Sequence, residues 1–165
     1  MKTSQIGIDL IKFFEGLHDG DLSQIGLQPK MDPIGIWTEG YGRAMRDKNN
    51  KFIKGAENKK LAYSRITIRS EAQAEKALVE DLKRFEKIVL KKTSNILKQN
   101  EFDAIVSHTY NTGGSSTLFK LITTKAKPAS IKNWIETKYI TADGVPFAGL
   151  VARRKAESKL YFLAR

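Results

Sequence analysis

Apolar residues recur at helical spacing along most of this chain and alternate at strand spacing in one short region. Ile6, Leu10, Phe13 and Leu17, four, three and four residues apart, predict a first helix, with Ile11 and Phe14 widening its stripe. Ser4 stands where a cap would, and Gly16 where the helix would end. From His18 to Lys30 the chain is polar and broken by Gly20, Gly26 and Pro29, which reads as a loop or short ribbon. Ile34, Ile36, Thr38 and Gly40 then alternate with Trp37, Glu39 and Tyr41, the period of a strand. A polar turn, Asp47 to Lys51, followed by Phe52 and Ile53 predicts a returning strand, so that residues 18 to about 55 form a small antiparallel lobe. Residues 56–69 are ambiguous, with Ile66-Thr67-Ile68 favouring extended chain.

Helical spacing resumes at Ser70, which with Gln73 makes a capping box. Ala74, Leu78, Leu82, Phe85 and Val89 carry this long helix to about Lys92, bridging the small lobe to a helical one. Asn100 is placed to cap the next helix, with Phe102, Ile105, Val106, Thr109 and Tyr110 inward and Gly113-Gly114 as its stop. Ser115 or Ser116 opens a short helix through Leu118, Phe119, Leu121 and Ile122, and Pro128 leads into Ile131, Trp134 and Ile135. Ala142-Asp143-Gly144 is a turn, and Leu150 to Leu163 closes the chain as a basic amphipathic helix with Arg153, Arg154 and Lys155. The fold class is α+β, mainly α.

Composition narrows the chemistry. At 165 residues the chain is long enough to bury roughly two-thirds of its unfolded surface as one domain. It has no cysteine and only His18 and His108 as imidazoles, so disulfide frameworks and thiolate zinc sites are excluded and neither metal nor cofactor is expected. Asp9, Lys12 and Glu15 interrupt the first apolar run, and nothing approaches 18 uninterrupted apolar residues. A protein made in the cytoplasm without a signal peptide, not inserted in a membrane and monomeric, is the expectation. The net charge of +11 would concentrate a polyanion: nucleic acid, an acidic membrane face or a cell-wall polymer.

Three residues then stand out. Glu15 falls in the last helical turn, where carbonyl ends disfavour its anion and Phe13, Phe14 and Leu17 exclude water, so a raised pKa is expected. Asp32 precedes Pro33, which holds it in extended backbone, and Thr38 lies six residues on, within reach of a tight turn. A protonated carboxyl paired with an ionised one is what cleavage of a glycosidic bond requires. Asp19, Asp21 and Glu39 compete for these roles.

LIKFFEGL, GIWTEGYGRAM, QNEFDAIVSHTYNTGG and GLVARRKAESKLYFL occur in that order over nearly the whole chain. Together they resemble the phage-type lysozymes, the endolysins of tailed bacteriophages. The resemblance implies Glu15 as general acid, Asp32 as the base that orients water and Thr38 as third member of a triad. It implies one lysozyme-like domain over residues 1–165: a small β-containing lobe at about 18–69, a helical lobe from 1–17 and 70–165, a long joining helix and a cleft between the lobes. The implied activity is hydrolysis of the β-1,4 bond between N-acetylmuramic acid and N-acetylglucosamine in bacterial peptidoglycan, without cofactor and with release to the wall by another protein's pore. Asn111 and Gly113, with Trp37 and Tyr41, are the implied substrate-side candidates. One arginine of the last helix, Arg153 or Arg154, would pair with Glu15, and the sequence does not decide which.

Three departures mark this chain. Glu15 and Asp32 stand 17 positions apart, so residues 18–31 read as an insertion. Glu39 replaces an apolar residue and, by strand alternation, reads as a surface or rim residue. His108 falls at a commonly aromatic position and reads as a core residue. The rival reading is a basic helical nucleic-acid-binding module without catalysis, which predicts a Lys/Arg stripe interleaved with exposed aromatics. The lysines here are scattered instead.

Overall fold

The computed structural model describes residues 1–164, which form seven α-helices and two small antiparallel sheets. Two compact units result, one of residues 15–81 and one of residues 1–14 with those from 82 onward. No helix among the described residues is long and apolar enough to cross a membrane.

The 15–81 unit is built on a three-stranded sheet of β1 (Lys30–Met31), β2 (Trp37–Glu39) and β3 (Arg43–Ala44), in that order. Thr38 lies opposite Lys30 on one side and Ala44 on the other. The alternation expected from Ile34 is realised only from Trp37, and Ile34 is 67% exposed. The cause is local: Pro33 has no N–H to give a ladder, and the Asp32 carboxylate captures the N–H groups of Ile34 and Ile36 in a turn. The expected returning strand is reduced to single bridges, Arg46 with Phe52 and Ile36 with Lys54. Trp37, Met45, Ile53 and Ala62 form this unit's small core, with Tyr63 edge-on to Trp37. Ala62 and Tyr63 belong to α2 (Lys59–Ser64), a helix within the stretch that the pattern left ambiguous. Arg43 ties β3 to the next helix, with Nε and Nη2 donating to Asp81 at 2.9 and 3.0 Å and Nη2 to the Ala77 carbonyl at 2.7 Å.

That next helix, α3 (Glu71–Lys92), runs as predicted, and Ala74, Leu78, Leu82, Phe85 and Val89 are all buried. Ser70 Oγ accepts the Gln73 N–H, while the Gln73 side chain reaches back to the Arg69 N–H rather than to Ser70.

In the other unit α1 (Gln5–Glu15) buries a different face from the one its spacing suggested. Gly7, Ile8 and Ile11 are buried, whereas Ile6, Phe13 and Leu17 are exposed. A β-carbon on Gly7 would stand 2.9 Å from Asp103 Cβ, so the helix docks through its smallest residue. Asp103 lies on α4 (Gln99–Thr112) and also accepts the Ser4 N–H at 2.9 Å. Asn100 is not the α4 cap; Lys98 takes that place, its N–H bonded to Glu101 at 2.8 Å. After α4, Gly113 turns left-handed at φ 80°. Ser115 caps α5 (Ser116–Thr123), and Pro128 opens α6 (Pro128–Thr137). A hairpin of β4 (Thr141–Ala142) and β5 (Val145–Pro146) turns on Asp143-Gly144, and α7 (Ala148–Tyr161) ends the chain. α4, α5, α6 and α7 bury Phe102, Ile105, Val106, Leu118, Phe119, Ile122, Ile131, Ile135 and Leu160.

Candidate active site

Glu15, Asp32 and Thr38 all fall in the 15–81 unit. Glu15 is the last residue of α1, because Gly16 takes φ 70° and breaks the helix there. Its carboxylate lies against the backbone of Gly42: a β-carbon on that glycine, itself at φ 82°, would come within 3.4 Å of Glu15 Oε2. The Gly40 to Gly42 corner after β2 therefore shapes the space around the acid.

Asp32 follows β1 and opens the turn into β2. Its N–H and carbonyl close the turn on Ile36 and Gly35, and its Oδ1 accepts Ile34 N–H at 3.0 Å and Ile36 N–H at 2.8 Å. Both side-chain bonds use the same oxygen, which fixes the carboxylate and turns Oδ2 away from the turn. The polar backbone of the turn thus orients the Asp32 carboxylate, a restraint through N–H groups rather than the steric effect of proline on its backbone.

Thr38 is buried at the centre of the sheet. Its hydroxyl donates to the Lys30 carbonyl at 2.9 Å, and His18 Nδ1 lies 2.6 Å from the same oxygen. His18 is held independently, its N–H donating to the Gly40 carbonyl at 2.8 Å. Burial pushes its imidazole below the usual pKa, and Lys30 adds to this, while Glu15 and Asp32 pull the other way. Both carboxylates are therefore close enough to act on the one ring. His18 was not among the sequence candidates, although it stands three residues past the helix-end acid and is one of only two imidazoles in the chain.

Trp37 and Tyr41 are 7% and 5% exposed. Trp37 Nε1 donates to the Gly55 carbonyl at 2.9 Å and Tyr41 Oη to Glu71 at 3.0 Å, so both pack and brace the sheet. Glu39 is not at a rim: it is buried, accepting the N–H groups of Thr67 and Ile68 at 2.9 and 3.1 Å and the Thr67 hydroxyl. β2 is covered on both faces, so alternation carries no residue of it to solvent.

The remaining candidates lie in the other unit. Arg153 and Arg154, expected on a basic face, are buried beside Glu157, with Nε atoms 3.2 and 2.8 Å from its carboxylate. Ser107 donates to Glu157 at 2.7 Å, and Arg154 Nη2 donates to Asn111 Oδ1 at 3.0 Å. Burial pushes the Glu157 carboxyl up, against the pull of Arg154 and Arg153. The Arg153 guanidinium also lies 5.7 Å from the centre of the Phe14 ring. Gly113 forms the exposed end of α4 beside Asn111.

Residues 21–157 match the family described as Phage lysozyme. The chain belongs to the phage lysozyme family. It is 30% identical over 165 residues to an endolysin of Bacillus phage B103, an alignment covering 98% of this chain and 54% of that protein. The chain thus spans about half the length of such relatives. It is 28% identical to an endolysin of Acyrthosiphon pisum secondary endosymbiont phage 1, with 98% of both chains covered. Among solved structures it is similar to the endolysin from Escherichia coli O157:H7 phage FAHEc1, at 30% identity and a TM-score of 0.70, covering 98% and 94% of the two chains.

Proposed function

We propose that this chain is an endolysin-type muramidase that hydrolyses the β-1,4 bond between N-acetylmuramic acid and N-acetylglucosamine in bacterial peptidoglycan and so contributes to lysis of the host cell. The observation that supports it best is the surrounding of Thr38: a fixed Asp32 on one side of the turn and a helix-end Glu15 within charge range of the same histidine. In this reading Glu15 carries a proton and gives it to the glycosidic oxygen as the bond to the anomeric carbon breaks. Asp32 Oδ2 accepts a proton from a water as that water's oxygen bonds to the anomeric carbon. Thr38 Oγ1, its own O–H donating to the Lys30 carbonyl, accepts a hydrogen bond from the water's other O–H, which stays on that oxygen and becomes the anomeric hydroxyl of the product. Attack on the face opposite the leaving group inverts the anomeric carbon. The same reading puts the action at the wall side of the inner membrane, and the charge of +11 favours adsorption to an anionic polymer.

The test is clearance of purified cell walls by the wild type, Glu15→Gln and Asp32→Asn. The wild type should clear them, and each variant should lose more than about a hundredfold, because each lacks a general acid or base. Equal activity in all three would sink the mechanism.

A further inference from the structure

The hydrogen bonding around Thr38 fixes more than its own orientation. A threonine hydroxyl has one proton and a carbonyl oxygen only accepts, so the 2.9 Å bond to Lys30 consumes the Thr38 proton. The 2.6 Å contact with His18 Nδ1 must then run the other way, from an Nδ1–H to Thr38 Oγ1. Of the two lone pairs on that oxygen, one is taken by His18 and one remains. His18 can hold this bond because its backbone is tied to Gly40, two residues past Thr38, so ring and strand move as one piece. The ring also lies near Lys30, Glu15 and Asp32, the positions from which both carboxylates of the site are presented.

We propose that His18 is a positioning residue of this site: its Nδ1–H locks the Thr38 hydroxyl so that its remaining lone pair meets the water that Asp32 activates. The inference rests on the muramidase reading for its catalytic consequence, but the hydrogen bond itself does not. His18 touches neither sugar nor water in this account and acts through Thr38. It also gives the 18–31 insertion a role at its first residue, since His18 anchors the insertion to β2 by its side chain on Thr38 and to Gly40, just past β2, by its main chain.

Two measurements test it. Nitrogen-15 NMR of the imidazoles of the wild type at neutral pH reads the tautomer directly, with only His108 to distinguish. The expected result is Nδ1 protonated and Nε2 bare, and a protonated Nε2 with bare Nδ1 would overturn the proposal. The second is a comparison of His18→Asn, whose amide nitrogen replaces Nδ1–H, with His18→Leu, which has nearly the same shape and no donor. His18→Leu should lose about 10–100-fold in kcat with KM changed less than about twofold, the size of a misplacement effect. His18→Asn should stay within about threefold of wild type. Equal kcat in the two variants would overturn the positioning role. Failure of the muramidase reading would register separately, as a Glu15→Gln variant that clears walls like the wild type, and the tautomer would still decide the hydrogen bond.

Discussion

Glu39 shows how much a single residue can be misplaced by a correct local rule. Alternation in β2 does turn it away from Thr38, but the far side of the strand is covered by the 66–69 segment rather than by water. Its carboxylate is the only acceptor there for the N–H groups of Thr67 and Ile68 among the described hydrogen bonds. Glu39→Ala strands the buried Ile68 N–H, worth about 1–3 kcal/mol, while the N–H of the exposed Thr67 passes to water, and should lower the melting temperature by roughly 2–12 °C. Glu39→Gln should lose much less, because its oxygen can serve both N–H groups while its NH2 donates to the Thr67 hydroxyl. Melting curves for the two variants check this; similar losses in both would show that charge, not acceptor geometry, holds the segment. His18 was illegible for a related reason. Its role depends on where the Thr38 proton goes, which only the pairing of Lys30 with Thr38 determines.

At the scale of elements, the long helices were legible and the short strands were not. Five buried positions fix the face of α3. By contrast, β1 and β3 have two residues each, too few for any period, and Asp32 stops the pattern before it reaches β2. α1 was found but rotated, because Gly7 contributes nothing to an apolar count yet sets the side on which the helix fits. Asn100 is the element-scale counterpart. It was expected to open α4 but lies inside that helix, and its side chain instead closes α7: Nδ2 donates to the carbonyls of Leu160, Tyr161 and Leu163 at 3.1, 2.9 and 3.1 Å. They lie at the end of α7, where Leu160 O also accepts the Leu163 N–H at 3.2 Å. Asn100→Ala should therefore cost about 1–3 kcal/mol, since it removes the donor to the buried Tyr161 carbonyl, whereas Leu160 keeps the Leu163 N–H and Leu163 is exposed. Hydrogen exchange should quicken first at the amides of the last turn of α7. Faster exchange in α4 with the end of α7 unchanged would contradict this account.

For the molecule as a whole, the buried groups of the helical unit contribute to its response to acid. Arg153, Arg154 and Glu157 stand three and four residues apart, the spacing of solvent-exposed ion pairs, so nothing in the sequence separates a surface network from a buried one. Their burial has a consequence one helix away. His108 on α4 is 1% exposed, and burial, then Arg154, then Arg153, push its imidazole down to about 3. The other groups against it are the Thr112 hydroxyl, 3.4 Å from Nδ1, and the edge-on Tyr139 ring, and neither can stabilise an imidazolium enough to offset two guanidiniums. In the unfolded chain the same histidine titrates near 6.5. Between these values the unfolded state binds a proton that the folded state refuses, so the stability present above pH 6.5 is lost as the pH falls towards 3. The slope approaches about 1.4 kcal/mol per pH unit across that window. His108→Phe keeps an aromatic ring against Tyr139 and has nothing to titrate. Urea unfolding of both proteins at intervals from pH 7 to pH 4 should give a flatter curve for the variant. Glu157 and its arginines are common to both, so their own titration largely cancels in the difference. Parallel curves would mean that His108 accepts a proton in the folded state, and that burial and the two arginines together do not prevent it.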